Sequence, residues 1–410
     1  MFALLLITFV NFVGIGPLIL ILPYTVIENL GYSETVMTAL LASFALAMFI
    51  ANPILGRLSD KVGRQPILLL SLIIGTAAHL WFALSNDILS MFAARIIAGL
   101  SAGNTGVIQA IIADNSKPEA RARIMGFLGA AIGSGFVLGP AIGGLLGGLG
   151  NGPLHQVPFL VAAFFSFIAV CLAMRLKLQS VTSANNSATN SAAASGGQGF
   201  FRLFKSMLSS PIGLFALAFF CLNLAFAQVE ASYVLLVRDL LDFGPRQTGW
   251  LFTYIGVCII IVQGGLISKL TRAFGEMRVV VSGVSVLAAG QLVTTIIAGG
   301  VSPFGNSLFL AMLISTSFVC VGFALTNPTL SAASSHAARA EQMGSALGLV
   351  QGFGSMGQVI GLCIDGPLYQ AGTGRLSFGF GFVITCLLLV VVWQIESRQP
   401  NSRQSNLVEK

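Results

Sequence analysis

Charged residues are scarce in this sequence. Only 9% of the 410 residues are Asp, Glu, Lys or Arg, and 55% are hydrophobic. Soluble globular domains carry roughly a quarter charged residues. A folded chain of this length with so little charge cannot cover a surface that faces water. The composition therefore excludes a soluble protein and indicates one whose outer surface lies in lipid.

Residues that form metal centres and nucleophilic catalytic sites are also few. The three histidines lie far apart in the sequence, and there is no H-E-x-x-H motif. The six cysteines all lie in apolar stretches and none forms a C-x-x-C pair, which indicates small buried side chains. These absences argue against an enzyme, and neither a metal nor a cofactor is predicted.

Long apolar stretches recur along the whole chain instead. A helix needs about 20 apolar residues to cross the ~30 Å hydrocarbon core of a bilayer. We therefore predict an all-α membrane protein with twelve transmembrane helices. They lie near residues 3–24, 36–55, 67–85, 89–113, 122–149, 156–176, 212–236, 247–268, 278–299, 306–331, 342–371 and 376–395.

The twelve predicted spans fall into two sets of six. The segment between the sets is rich in Ser, Ala, Asn and Gly, too polar to span and too poor in large apolar residues to fold. An amphipathic stretch of Phe, Arg and Lys after it predicts a short helix on the membrane surface. The predicted parts are an N-terminal bundle (1–178), a cytoplasmic linker with this helix (179–210), a C-terminal bundle (211–396) and a cytoplasmic tail (397–410).

The two sets are weakly similar to each other in sequence. The loop predicted after span two, which starts at Gly56, has a counterpart at 268–277 after span eight. Gly135 and Gly139 in span five match Gly357 and Gly361 in span eleven at one constant offset. Two pseudo-repeats of six helices with the same orientation are typical of parallel-repeat transporters.

Basic residues predict how the chain is oriented in the membrane. If the first loop is external and the loops alternate, seventeen of the 21 Lys and Arg lie inside, three lie outside and Arg95 lies within a span. Cytoplasmic loops carry an excess of Lys and Arg. Both termini of this multi-pass protein are therefore predicted to be cytoplasmic.

Residues 56–64, with the sequence GRLSDKVGR, match at every fixed position the signature that joins helices two and three of the major facilitator superfamily. The whole chain resembles this family. Residues 95–99 resemble its helix-four arginine motif, and the likeness is closest to the drug:proton antiporters, including the tetracycline exporters. This resemblance implies a bacterial plasma (inner) membrane. The antiporter-type motif of helix five would comprise Gly135, Gly139, Pro140, Gly143 and Gly144.

The sequence departs from the tetracycline exporters at two acidic positions. Those proteins carry acidic residues in helices one and three, where this chain has Asn11 and Ala78. A third departure is Gln65, which stands where a further basic residue is usual. The missing carboxylates argue against tetracycline as the substrate and move any proton site to the second half.

The motif at 56–64 predicts a cytoplasmic gate, with an ordinary solvated loop as the alternative. Asp60 is expected to contact the start of span eleven, whose N-terminal end is positive, and so to hold the two halves together in one state. Small residues four apart in span five are expected to form a movable contact between the halves, or simply close packing. The gate residues would be Gly56, Asp60, Lys61, Gly63, Arg64 and Asp114.

Ionisable side chains within the spans indicate function, because each is expensive in hydrocarbon. Glu230 is the first candidate for the proton carrier and Asp365 the second. Polar residues recur on single helix faces and would line a cavity between the halves, or hydrogen-bond neighbouring helices. The candidates for lining are Asn11, Arg95, Gln109, Asn223, Gln351 and Gln358.

The predicted function is proton-coupled efflux of a small amphiphilic or drug-like solute by alternating access. The proton gradient would supply the energy, and no cofactor would be required. A facilitator or symporter of a polar metabolite and a lipid flippase are the alternatives on the same fold. The expected partners are the solute, protons and membrane lipid, without nucleic acid, and the expected state is a monomer.

Overall fold

A computed structural model describes residues 1–116, 118–146, 156–176, 211–301, 307–337 and 343–398. These residues are almost entirely helical, and no strand occurs among them. Because lipid offers no hydrogen-bond partners, a spanning chain must satisfy its backbone groups internally, as a helix does. The helices are α1 (Phe2–Asn29), α2 (Glu34–Val62), α3 (Arg64–Leu84), α4 (Ile88–Ala102 with Thr105–Asn115), α5 (Pro118–Leu146), α6 (Gln156–Met174), α7 (Pro211–Leu241), α8 (Pro245–Phe274), α9 (Glu276–Ala298), α10 (Leu308–Ala337), α11 (343–371) and α12 (374–398).

The last two helices follow each other almost without interruption. Helical structure covers Met343–Arg398, and the break lies at Gly372 and Thr373, whose φ values are −150° and 53°. Within the described ranges, 11 stretches are long and apolar enough to cross a membrane, and the last of them contains this break. The prediction of an all-α fold with twelve membrane helices is confirmed.

The turn between α2 and α3 is much shorter than the predicted loop. α2 continues to Val62, so most of the 56–64 motif is helical and Gly63 alone makes the turn. Gly63 has a φ of 111°, which favours glycine. The prediction of a loop was wrong because no Gly or Pro interrupts the helix between Gly56 and Gly63.

The internal repeat is visible in the packing as well as in the sequence. Gly275 joins α8 to α9 with a φ of 88°, as Gly63 joins α2 to α3. In the first half, Gly135 and Gly139 of α5 pack against α1. In the second half, the matching glycines of α11, at 357 and 361, pack against α7 in the same way. The two halves therefore share one helix arrangement.

Helices α1–α6 pack mainly against one another, as do α7–α12, and the larger contacts between the halves join α2 to α11 and α5 to α8. We call the end of the molecule with the turns at Gly31, 85–87 and 242–244 the Gly31 end. The opposite end, with the turns at Gly63 and Gly275, is the Gly63 end. The predicted linker (179–210) and residues 399–410 of the tail lie outside the described residues, so these boundaries stay predictions.

Candidate functional site

A polar face of α11 runs from the surface into the interior. Gln351, Gln358 and Asp365 recur every seven residues and so share one face of the helix. Gln351 is exposed, Gln358 is half-buried and Asp365 is 0% exposed. The exposed residue lies towards the Gly63 end, so access from water decreases towards the Gly31 end.

The same gradient of exposure occurs on α4 in the other half. Gln109 is exposed near the Gly63 end, whereas Ala102 and Arg95 are buried further along the face. The Arg95 guanidinium interacts electrostatically with Glu230 of α7, so the polar faces of the two halves approach each other. From this exposure of Gln109 and Gln351 we infer that the two faces border a crevice that opens at the Gly63 end.

Glu230 lies at the inner part of this crevice and is half-buried. The Gln358 side-chain amide donates a hydrogen bond of 2.8 Å to its Oε2 atom. On the same face of α7, Asn223 is also half-buried and donates to the backbone oxygen of Phe219 at 2.9 Å. The structure therefore joins Glu230 to Gln358 by a hydrogen bond, a contact that the helix faces alone did not specify.

Arg95 is a buried cation with unused hydrogen-bond donors. The residue is 3% exposed, and its guanidinium carbon lies 4.2 Å from the centroid of the Phe44 ring. Its Nε and Nη1 atoms are buried without a hydrogen-bond partner. An unsatisfied buried donor costs about 1–3 kcal/mol, and more when it is charged. His79 of α3 is also buried and close enough to interact electrostatically with Arg95.

Asp365 is separated from the crevice. Both of its carboxylate oxygens accept hydrogen bonds, one from the Ser232 hydroxyl of α7 and one from the Ser377 hydroxyl of α12. Asp365 and the two serines are all fully buried. The carboxylate thus joins three helices of the second half. Its role in proton coupling stays a prediction, and its enclosure by the two serines supports that role less well than the half-buried position of Glu230 supports one for Glu230.

Replacing Asp365 by Ala is expected to destabilise the protein. The change leaves the hydroxyls of Ser232 and Ser377 without their acceptor, at about 1–3 kcal/mol for each buried group left unpaired. The measurement is the thermal unfolding midpoint of the purified protein in detergent. Glu28→Ala removes an exposed carboxylate as the control. An unchanged midpoint for Asp365→Ala would show that this contact does not join the helices.

Hydrogen bonds close the crevice at the Gly31 end. The Tyr24 hydroxyl of α1 donates to the backbone oxygen of Phe243 at 2.8 Å and lies 2.8 Å from the Thr248 hydroxyl of α8. The Thr35 hydroxyl of α2 donates to the Gln370 side chain of α11, also at 2.8 Å. These contacts all cross between the two halves.

The glycine run of α5 makes two kinds of contact. Gly144 packs directly on Gly249 of α8 in the other half. The remaining motif positions pack within the first half, at Gly135, Gly139 and Gly143 against α1. The predicted contact between the halves therefore rests on Gly144, while the other glycines set the distance between α5 and α1. The sequence did not distinguish these partners because small residues alone do not show which neighbouring helix each position faces.

The charged cluster at the Gly63 end lies within the first half. Arg64 pairs with Asp60 and with Asp114, at 3.0 Å for the second pair, and donates to the Ser59 hydroxyl at 2.7 Å. No hydrogen bond or ion pair joins Asp60 to α11 among the described side chains, and residues 338–342 before α11 lie outside the described residues. The latch on α11 stays a prediction for a conformation in which this end is closed.

Several contacts of the site were not predicted from the sequence. Phe44 under Arg95 and the serines around Asp365 carry no local signal, because such residues occur in most apolar helices. The predicted lining residue Asn11 is buried on α1. Only the position of Tyr24 near the end of an apolar run, where a polar tip must find a partner, hinted at its role.

Comparisons with known proteins agree with this arrangement. The sequence model of the Major Facilitator Superfamily matches residues 4–313. The chain is 27% identical over 388 residues to Multidrug resistance protein 2 of Bacillus subtilis (strain 168), covering 94% of this chain and 93% of that protein. It is 28% identical over 371 residues to Quinolone resistance protein NorA of Staphylococcus aureus (strain MSSA476), covering 88% of each.

Solved structures show the same fold at lower sequence identity. The human organic anion transporter MFSD10 (TETRAN) superposes with a TM-score of 0.70 at 20% identity, covering 95% of this chain and 98% of that one. A mutant of the nucleoside transporter NupG gives 0.74 at 16% identity, covering 96% and 99%. The predictions of the family and of a transporter rather than an enzyme are confirmed. The chain belongs to the Major Facilitator Superfamily and is a multi-pass membrane transporter of small molecules.

Proposed function

We propose that this transporter exports a small amphiphilic or drug-like solute in exchange for protons. The observation that carries the proposal is the half-buried carboxylate of Glu230, held by Gln358 where the two halves meet. Two relatives that align over most of the chain are named for multidrug and quinolone resistance, which supports a drug-like solute. No cofactor is required, because the proton gradient supplies the energy.

Glu230 would couple the two halves through its charge. The Gln358 amide donates a hydrogen bond to its carboxylate, and the positive charge of Arg95 in the other half attracts the ionised form. Protonation removes that charge and weakens the attraction across the crevice. The protonation state of Glu230 and the relative position of the two halves would therefore depend on each other. One charge moved through ~100 mV provides about 2.3 kcal/mol, roughly a fifty-fold bias.

The charge distribution supports an assignment of sides. The Gly63 end carries basic residues in both halves, among them Arg57, Lys61, Lys269 and Arg272. Positively charged loops face the cytoplasm. We therefore assign the Gly63 end and both termini to the cytoplasmic side of a bacterial inner membrane. The crevice then opens to the cytoplasm, where a solute for export would enter.

Export would proceed by opening the Gly31 end and closing the Gly63 end. Opening must break the cross-half contacts of Tyr24 and Thr35 and separate Gly144 from Gly249. Closure would bring Asp60 to the start of α11, where the positive end of the helix attracts a carboxylate. The new contacts at one end offset the loss at the other, so both states can be populated and ligands can shift the balance between them.

Transport by the purified protein in liposomes, with and without a pH gradient, tests the proposal. A fluorescent lipophilic cation such as ethidium serves as the probe, and a pH-sensitive dye reports proton movement. We expect accumulation of the probe against its gradient only when protons flow the opposite way. Flux that ignores the pH gradient would indicate a facilitator, and translocation of a labelled lipid in place of the dye would indicate a flippase.

A further inference from the structure

A groove runs inwards from the Gly31 end between α8 and α10 of the second half. It has a volume of ≈ 290 Å³, and its walls include Phe243, Gln247, Trp250, Tyr254, Phe309 and Leu313. The hydroxyls of Tyr254 and Ser317 lie 2.7 Å apart and join the two helices at the inner end of the groove. From Gln247 to Tyr254 the groove is about 10 Å long, because each helical residue rises ~1.5 Å. We call it the α8–α10 groove.

The exposed side chains beside the α8–α10 groove are apolar, so the groove opens towards lipid. Trp250, Val257 and Ile261 lie close together around the axis of α8 and are 57%, 50% and 64% exposed. Gly249, which packs on α5 across the two halves, points to a different side of the helix. A tryptophan in the first turns of a membrane helix is also typical of the bilayer interface. The groove therefore lies outside the crevice, where acyl chains cover it.

The matching helices of the first half leave less room for such a groove. Gly99 and Gly103 of α4 pack directly on α2, because small residues let two helices approach closely. In α10 no glycine occurs from Leu308 to Val321, and the following Gly322 packs on α9. The larger side chains of α10 keep it apart from α8 near the Gly31 end.

Arg246 supplies a free positive charge at the mouth of the α8–α10 groove. It is exposed and lies one helical turn before Trp250 on the same face of α8. Among the described side chains it makes no hydrogen bond or ion pair, whereas the neighbouring Arg238 is paired with Asp239. The exposed Asp242 in the preceding turn forms no ion pair with Arg246. The guanidinium is therefore available to a phosphate group, which its planar donors match well.

We propose that the α8–α10 groove binds one anionic phospholipid of the leaflet that meets the Gly31 end. One acyl chain lies along Trp250 and Tyr254, and the phosphate contacts Arg246. A head group with a net negative charge gains most from this cation, because the ammonium group of a zwitterionic lipid offsets the attraction. The site is separate from the crevice, so it does not depend on the solute or on proton coupling.

Trp250 itself reports on the occupant of the α8–α10 groove. The chain has three tryptophans, so Trp81→Phe and Trp393→Phe leave Trp250 as the only one. The protein is reconstituted in mixed liposomes in which one lipid at a time carries brominated acyl chains, which quench tryptophan fluorescence on contact. We expect phosphatidylglycerol to bind beside Trp250 roughly fivefold more tightly than phosphatidylcholine or phosphatidylethanolamine, the effect of one cation near a membrane surface.

Variants of the single-tryptophan protein locate the two parts of the lipid. Arg246→Gln should make the three lipids equal while quenching by brominated chains persists. Leu313→Phe fills the groove and should reduce the quenching of Trp250. Arg375→Gln removes another exposed cation at the same end, on α12, and should change nothing.

A protein in which Trp81 is the only tryptophan provides a second control. Trp81 is exposed near the Gly31 end of α3, and the described turns of the first half at that end carry no Lys or Arg. The three lipids should therefore quench it equally.

Equal affinities of the three lipids at Trp250 would overturn the inference, as would a preference for phosphatidylethanolamine or the same preference at Trp81. An equal loss in Arg375→Gln, or full quenching in Leu313→Phe, would do the same. Release of the brominated lipid from Trp250 by ethidium would assign the groove to a solute instead. Absence of any quenching would show that protein, such as a second copy of the chain, covers it. None of these measurements uses a gradient, so they are independent of the transport experiment.

Discussion

Replacing Glu230 by Gln is expected to abolish accumulation of solute against its gradient. The glutamine side chain is almost the same size and can still hydrogen-bond Gln358, so the helix packing is retained. It cannot bind and release a proton, and it removes the negative charge that faces Arg95. Proton-driven export in liposomes should fall to the background of empty vesicles, while downhill movement of the probe continues.

The control for this variant is Glu28→Gln, which removes an exposed carboxylate near the Gly31 end. Thermal unfolding and the amount of protein in the membrane should be unchanged for both variants. Normal proton-driven export by Glu230→Gln would exclude Glu230 as the proton carrier. In that case Asp365→Asn becomes the variant to test, because Asp365 is the other carboxylate buried in a described span of the second half.

Replacing Gly144 by Val is expected to stop transport by preventing closure of the Gly31 end. In the structure α5 and α8 touch at this point, and even a Cβ atom on Gly249 would lie 2.6 Å from the Cα atom of Gly144. Overpacking of such a contact costs about 1–3 kcal/mol, which corresponds to a shift of roughly 5- to 150-fold between the two states. The protein should therefore favour the state that opens at the Gly31 end.

Two measurements check this shift. The transport rate should fall by about the same factor as the population of the state that is closed at the Gly31 end. A cysteine placed at Gln351, which is exposed in the crevice, should react more slowly with a reagent on the cytoplasmic side when the six native cysteines are replaced. Gly129→Val on the same helix is the matched control, because no atom lies within 4 Å of a Cβ added there. Normal transport by Gly144→Val would show that the Gly144–Gly249 contact is not needed for closure.

The described conformation explains why the predicted cytoplasmic gate is not engaged. Arg64 draws Asp60 and Asp114 together inside the first half, so Asp60 is occupied on the open side of the crevice. Closing this end would require Asp60 to exchange that partner for the start of α11. The predicted latch would use the same carboxylate as this ion pair, so the two contacts would exclude each other.

The sequence identified which residues share one face of a helix, but not which side chains of the neighbouring helices they contact. The seven-residue spacing of Gln351, Gln358 and Asp365 identified one face of α11 correctly. It did not reveal that Gln358 contacts Glu230 in the crevice while Asp365 is enclosed by two serines. A period of seven describes only the direction of a side chain from its own helix axis. The rotation of that helix against its neighbours decides what the side chain meets.

The sequence by itself determined the class of protein, the number of membrane helices, their repetition in two halves and the family. These properties depend on local quantities, namely the length of apolar stretches and a short motif whose residues are adjacent in the chain. Only the tertiary structure decided which end of the crevice is closed, which carboxylate faces it, and that Arg95 keeps unused donors beside Glu230. Those features depend on residues that are far apart in the sequence. The packing of the two six-helix halves against each other sets the distances between these residues and their exposure to water.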